Sequence, residues 1–155
     1  MTTIGGEAAS VQVRQLIAAP RQQVFEAFTQ PELLRHWWGP GDFLVGALDV
    51  DLREGGRYRF EMRPPGDAMP TIVVSGTYEQ VDPPARLAFT WKFVEGPPSA
   101  DPESYVVVDF HDRDGDTEVI VTHGRMPQGF DMSNYTFGWE SGLGKLAAQA
   151  RTRRG

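Results

Sequence analysis

Three histidines are the first candidates for chemistry in this chain, because imidazole exchanges protons near neutral pH. His36 precedes two tryptophans on a predicted short helix, where a packing or capping role is expected. His111 alternates with Phe110 in a predicted strand and should face solvent. His123 shares a strand face with Val121, so it is predicted to point inward. There it would either orient the polar end of a ligand or serve a structural role.

The residue types and their spacing do not favour a metal-binding site or a catalytic nucleophile. The chain has no cysteine, and its histidines lack the paired helical spacing typical of zinc ligands. The acidic run at residues 112–116 lacks the glycine and glutamate positions of a calcium loop, and Asp114-Gly115 predicts a hairpin turn instead. No glycine-rich phosphate loop and no Gly-x-Ser-x-Gly elbow is present. We therefore expect neither metal nor cofactor, and an enzymatic function is less favoured than binding.

Length and charge favour one globular domain with a core of ordinary size. The 155 residues are 40% hydrophobic, and the net charge of -6 disfavours nucleic acid as a partner, since such partners require clustered basic residues. The sequence contains no run of eighteen apolar residues, so no membrane-spanning helix is predicted. We expect a flexible N-terminal arm at residues 1–10, a single domain at residues 11–152, and a cytoplasmic location.

Two short helices must follow a first strand that starts near Val11. Val24, Phe25 and Phe28 give one helix an apolar stripe. A second helix then begins either at a capping box that opens with Thr29 or with Pro31 in the first helical position. Leu33, Leu34, Trp37 and Trp38 belong to this second helix, which must end by Gly39-Pro40 because proline cannot extend it.

The remainder of the chain first alternates and then becomes helical. Apolar residues at every second position predict six further strands, around residues 48–52, 58–62, 72–78, 87–93, 106–110 and 119–123. Residues 131–150 return to helical spacing, which predicts one long helix with Trp139 and Leu143 facing inward. Gly138, Gly142 and Gly144 lie within it, and we expect them to permit close approach to the sheet.

Short blocks in a shared order make the chain resemble the START-like helix-grip superfamily, in particular its branch named after the activator of the ninety-kilodalton heat-shock protein ATPase. The blocks are Ala19-Pro20 with Val24-Phe25, Pro31-Glu32, His36-Trp37-Trp38-Gly39-Pro40, Gly55-Gly56, Gly76-Thr77-Tyr78-Glu79, Asp82-Pro83-Pro84 with Leu87, Thr90-Trp91, Thr122-His123 and Gly138-Trp139-Glu140. The resemblance implies an α+β helix-grip fold. A curved antiparallel sheet of about six to seven strands would surround a long C-terminal helix, with two short helices after the first strand.

The resemblance also implies an apolar cavity, which relatives use for lipids, sterols, aromatic polyketides or plant hormones. We expect a domain that binds a small hydrophobic or amphipathic molecule. One alternative is a co-chaperone or protein-interaction module that docks on a chaperone or another protein. A second is a cofactor-free, cyclase- or dehydratase-like enzyme, in which His123 would meet Glu140 or Asp131 in the pocket.

Large apolar side chains on the expected inner face are the candidate cavity lining. Aromatic rings combine a large apolar surface with defined contact geometry, and ligand pockets are apolar with a few polar groups. The predicted lining residues are Trp37, Trp38, Tyr58, Phe60, Met62, Trp91, Phe93, Val108, Phe110, Val121, His123, Trp139 and Leu143.

Overall fold

The computed structural model describes residues 9–39, 41–66 and 70–154, so the first eight residues of the expected arm lie outside the described residues. Within these ranges, seven strands and three α-helices run in the order β1 (Ala9–Ile17), α1 (Arg21–Thr29), α2 (Pro31–Leu34), β2 (Leu44–Val50), β3 (Arg57–Arg63), β4 (Ile72–Asp82), β5 (Arg86–Glu95), β6 (Ser104–Arg113), β7 (Asp116–Met126) and α3 (Ser133–Arg154). A short 3₁₀ helix, Pro97–Ala100, connects β5 to β6.

The strands form one open, curved antiparallel sheet in the order β1-β7-β6-β5-β4-β3-β2. Each strand from β2 to β6 therefore pairs with the strand that follows it along the chain, and β1 pairs with β7 at the far edge of the sheet. The alternation of the sequence sets which face is buried. In β3, Tyr58, Phe60 and Met62 are buried while the arginines at both ends are exposed.

The long helix α3 packs along the sheet and completes the core. Trp139 and Leu143 are 5% and 0% exposed, as the helical spacing predicted. The helix begins two residues later than expected, and the Asp131 carboxylate accepts a hydrogen bond from the backbone N–H of Ser133 at 3.0 Å. The predicted α+β helix-grip architecture is thereby confirmed.

The residue ranges of α2 and β1 test the sequence predictions of where these elements begin and end. Pro31 is the first residue of α2, whereas Thr29 lies inside α1 and donates its hydroxyl to the carbonyl oxygen of Phe25 at 3.0 Å. The capping-box alternative is therefore wrong. The helix α2 ends at Leu34, so the two tryptophans that follow lie in a turn. Strand β1 also starts at Ala9, inside the expected arm.

The glycines of α3 differ from their expected role. A Cβ atom on Gly142 would lie 3.4 Å from the Trp37 ring, so this glycine permits close approach of the turn after α2 and not of the sheet. A Cβ atom on Gly138 or Gly144 would meet nothing within 4 Å. The expectation of close packing against the sheet is wrong for these positions, and Gly138 instead leaves space open.

Candidate functional site

A small cavity lies where α3 crosses the turn after α2 and the inner face of the sheet. Its volume is about 70 Å³. The wall includes all four tryptophans of the chain, which come from the turn, from β5 and from α3. The full lining is Trp37, Trp38, Gly39, Met62, Trp91, Asn134, Tyr135, Gly138, Trp139 and Gly142.

Three polar side chains of α3 hold one wall of this cavity in place. We call residues 36–39 and 41 the tryptophan segment. Lys145 Nζ donates to the carbonyl oxygens of Gly39 and Gly41, at 2.7 and 3.0 Å. Gln149 donates to the carbonyl oxygen of His36 at 2.6 Å, and the hydroxyl of Ser141 accepts from a backbone N–H of the segment at 2.6 Å. Spacing of four residues places these three side chains on one helix face.

His123 lies directly behind the cavity wall and is fully buried. The indole N–H of Trp139 donates to His123 Nδ1 at 3.0 Å, which leaves the proton of the neutral ring on Nε2. Nε2 lies 2.8 Å from Ser104 Oγ, and that hydroxyl in turn lies 3.4 Å from the carbonyl oxygen of Trp91. Both ring nitrogens therefore have protein partners, and the imidazole links β5, β6, β7 and α3.

Burial keeps this imidazole uncharged, because it lowers the pKa of His123 to about 3. The carboxylates that an acid–base pair would need are elsewhere. Glu140 and Asp131 are both exposed, and the hydrogen-bond partners of the imidazole are Trp139 and Ser104. The arrangement suits a fixed structural link between sheet and helix, and it does not assemble the pair required by the cyclase- or dehydratase-like alternative.

Two indole N–H groups of the cavity wall have no acceptor among the described residues. They belong to Trp38 and Trp91, and both atoms are inaccessible to solvent. The other two indoles are paired, since Trp37 donates to the carbonyl oxygen of Ala27 at 3.0 Å and Trp139 donates to His123. A buried donor without an acceptor is energetically unfavourable, so these two groups are the unusual polar feature of the site.

The structure separates the thirteen predicted lining residues into groups. Five of them border the cavity: Trp37, Trp38, Met62, Trp91 and Trp139. Tyr58 and Phe60 border a separate interior space of about 10 Å³, which is too small for more than a water molecule. His123 and Phe93 touch the Trp91 ring from outside the cavity, with ring centroids 5.2 and 5.6 Å away. Val108, Phe110, Val121 and Leu143 are buried in the core and border neither space.

Sequence reasoning missed half of the wall. Tyr135 lies on α3 four residues before Trp139, and its hydroxyl donates to the Asp101 carboxylate at 2.7 Å. Asn134 precedes it, and Gly39, Gly138 and Gly142 border the space through their backbones. The helical spacing of Tyr135 with Trp139 was the available signal for an inward ring. Glycines carry no such signal, because an absent side chain has no hydropathy pattern.

A second depression, which we call the aliphatic groove, lies between the end of β1, α1 and the C-terminal half of α3. It holds about 420 Å³ and is lined by Ile17, Ala18, Ala19, Pro20, Gln23, Val24, Ala27, Leu146, Gln149 and Ala150. Its wall has no aromatic ring, and neither of the two unpaired indoles borders it.

Across the described ranges, no three His, Asp or Glu side chains group closely enough to hold a metal ion. No helix within those ranges has the length and hydropathy needed to cross a bilayer.

A known protein family matches most of the sequence. The sequence model of the activator of Hsp90 ATPase homolog 1-like proteins matches residues 18–150, which is most of the chain. The chain belongs to this family. The resemblance noted in the sequence is therefore confirmed, together with its helix-grip fold. No curated protein matches the sequence with significance.

Solved structures share the fold over nearly the whole chain. A protein from Chromobacterium violaceum superimposes with a TM-score of 0.78 at 22% identity, covering 91% of this chain and 96% of that one. The AHSA1 protein from Silicibacter pomeroyi gives 0.76 at 27% identity, with 94% and 99% covered. CalU16 from Micromonospora echinospora gives 0.69 at 26% identity, with 97% and 81% covered. Similarity at this level extends to the fold.

Proposed function

We propose that this domain binds a small, mostly apolar molecule in the cavity between α3 and the tryptophan segment. The observation that carries the proposal is the concentration of five aromatic rings, those of the four tryptophans and Tyr135, around one interior space. Aromatic walls supply large contact area with few side-chain torsions to immobilise, which is typical of small-molecule sites. The proposal involves no cofactor and no bond-making step.

The size of the cavity limits the ligand. An engineered cavity of roughly 150 Å³ accommodates benzene, and drug-sized ligands occupy pockets of roughly 300–1,000 Å³. A space of about 70 Å³ therefore admits the head of a small molecule, with the rest extending toward solvent, to which Asn134 of the lining is exposed. A sterol or a polycyclic polyketide requires the wall to move.

An NMR titration with single-ring compounds, such as acetophenone, tests the proposal. The indole N–H signals of the four tryptophans report directly on the cavity, since all four rings border it. We expect saturable shifts of these signals. Gly138→Leu should abolish these shifts, because Gly138 borders the cavity and the added side chain would occupy the open space beside it. Gly144→Leu is the matched control, because Gly144 has the same open surroundings on the same helix but does not border the cavity.

Two results would contradict ligand binding at this place. One is a set of indole signals that no single-ring compound shifts. The other is equal binding by the Gly138 and Gly144 variants, with circular dichroism showing both folded. The second result would indicate that the ligand binds elsewhere on the surface.

Docking on another protein is the second candidate, and exposed apolar side chains favour it. Phe137 is 58% exposed on α3, between residues that border the cavity, and Leu44 is 63% exposed at the start of β2. The family is named after activators of a chaperone ATPase, which makes a chaperone the natural first partner to assay. Phe137→Ser should then weaken the complex while leaving compound binding in the cavity intact. Binding that the substitution does not affect would refute a docking role for this side chain.

A further inference from the structure

We propose that the ligand is an amphipathic molecule that inserts an end without hydrogen-bonding groups into the cavity and keeps its one polar group beside Asn134. This inference rests on the proposed function and specifies the chemistry of its ligand. It starts from the polar groups in the wall, nearly all of which are bonded within the protein or inaccessible to solvent.

The four tryptophans offer the cavity carbon surface and no hydrogen-bond donor. Trp37 and Trp139 donate their indole N–H groups to protein acceptors, each at 3.0 Å. The indole nitrogens of Trp38 and Trp91 are inaccessible to solvent, so a ligand atom in the cavity cannot contact them. An indole has no other hydrogen-bonding atom. A ligand acceptor placed against these rings would therefore stay without a donor.

The other polar groups at the inner wall are engaged or weak. Tyr135 donates its hydroxyl proton to the Asp101 carboxylate at 2.7 Å, and the carbonyl oxygen of Gly39 accepts from Lys145 at 2.7 Å. Met62 contributes a thioether, which is only a weak acceptor. Since a buried polar group without a partner is energetically unfavourable, we expect the inner end of the ligand to consist of hydrocarbon.

Asn134 is the exception among the lining residues. It is exposed to solvent, and its side-chain amide makes no hydrogen bond within the described residues. An amide offers two donor protons and an acceptor oxygen, so it can bind a ketone, an amide or an alcohol. Asn134 and Gly138 lie one turn apart on the same face of α3, and both border the cavity. The polar end of the ligand therefore belongs at this solvent-facing side of the space.

A pair of isomers tests which end of the ligand is buried. In 2-acetylpyridine the ring nitrogen lies next to the acetyl group, whereas in 4-acetylpyridine it lies at the opposite end of the ring. The two isomers have the same composition and the same shape. If the acetyl group lies beside Asn134, the nitrogen of the 4-isomer enters the part of the cavity that has no donor.

We expect 4-acetylpyridine to bind more weakly than 2-acetylpyridine, by roughly five- to 150-fold, because only its nitrogen acceptor is buried without a partner. The indole N–H signals of the tryptophans follow both titrations, since all four rings border the cavity. The wild-type protein suffices for this comparison, so no substitution can disturb the fold.

A second ligand pair tests the role of Asn134. Acetophenone and α-methylstyrene have the same shape and differ by an oxygen in place of a CH₂ group. The ratio of their Kd values is compared between the wild type and Asn134→Ala. Glu140→Ala is the matched control, because Glu140 is also exposed on α3 but does not border the cavity. The preference for acetophenone should fall by roughly two- to tenfold in Asn134→Ala and stay unchanged in the control.

Failure of the inference and failure of the proposed function give different results. If the two isomers bind equally, or the 4-isomer binds more tightly, the inference is overturned while cavity binding stands. An unchanged preference for acetophenone in Asn134→Ala also overturns it. If none of the four compounds shifts an indole signal, cavity binding itself is refuted, and this inference with it.

Discussion

Acidification should destabilise the fold through one residue, His123. Its ring nitrogens are occupied by Trp139 and Ser104, and burial lowers its pKa to about 3. In the unfolded chain the pKa of histidine is about 6.5. Between these two values the unfolded state binds a proton that the folded state does not. The stability linked to this group is therefore fully present above pH 6.5 and is lost as the pH falls toward 3.

The size of the effect follows from the two pKa values. Each pH unit below 6.5 costs about 1.4 kcal/mol until the folded-state pKa is reached. At pH 4.5 the loss is two units, or roughly 2.5–3 kcal/mol relative to pH 7. This is a large part of the 5–15 kcal/mol that is typical of natural domains.

Urea denaturation at a series of pH values between 7 and 4.5 measures this slope. His123→Asn removes the titrating group and keeps a polar side chain at this position. His111→Asn is the matched control, because His111 is exposed at the end of β6. The free energy of unfolding of the wild type and the control should fall more steeply with acidification than that of His123→Asn. Parallel curves for all three proteins would refute a buried neutral imidazole.

Further predictions concern α3. Gly138→Ala and Gly144→Ala should each raise the free energy of unfolding by up to about 1 kcal/mol, because alanine favours helix, but only Gly138→Ala should weaken binding of acetophenone. Trp139→Ala should cost about 3–5 kcal/mol in chemical denaturation, since it empties a core position and leaves His123 without its donor; a loss below about 1 kcal/mol would contradict this. Lys145→Met should cost about 1.5 kcal/mol and accelerate amide hydrogen exchange in the tryptophan segment, and unchanged exchange would refute the role of its ammonium group.

Local patterns predicted the fold well because strands and helices each require a characteristic spacing of apolar residues in the sequence. The alternation of Tyr58, Phe60 and Met62 predicted strand β3 and its buried face, and the spacing of Trp139 and Leu143 predicted the inner face of α3. The helix boundary at Pro31 was harder, because the capping box at Thr29 and the proline at Pro31 predicted helix starts that differ by one residue. Only the structure distinguishes them, through the hydroxyl of Thr29 bonding back into α1.

The candidate site was less predictable because it depends on contacts between distant segments. Hydropathy identified an aromatic interior, but whether a ring borders empty space or packed atoms depends on its neighbours in three dimensions. Phe110, for example, packs against Phe25 and Phe28 and borders no cavity. The unpaired indoles of Trp38 and Trp91 were likewise beyond sequence reasoning, since an acceptor can come from any part of the chain.

The polar contacts of α3 to the tryptophan segment had a visible signal that was not used. Ser141, Lys145 and Gln149 recur every four residues beside the apolar stripe. That spacing predicts a polar face pointing in one direction. The spacing could not reveal which residues this face contacts. They belong to the tryptophan segment, about a hundred residues earlier in the chain.

Location of a bound compound tests the central claim most directly. Isotope-filtered nuclear Overhauser spectra of the wild type with acetophenone measure which protons lie within a few ångströms of the ligand. Cavity binding predicts contacts to the methyl group of Met62 and to the indole of Trp139, which border the proposed site. Contacts to the methyl groups of Ala18 and Leu146 would instead place the ligand in the aliphatic groove and contradict the account.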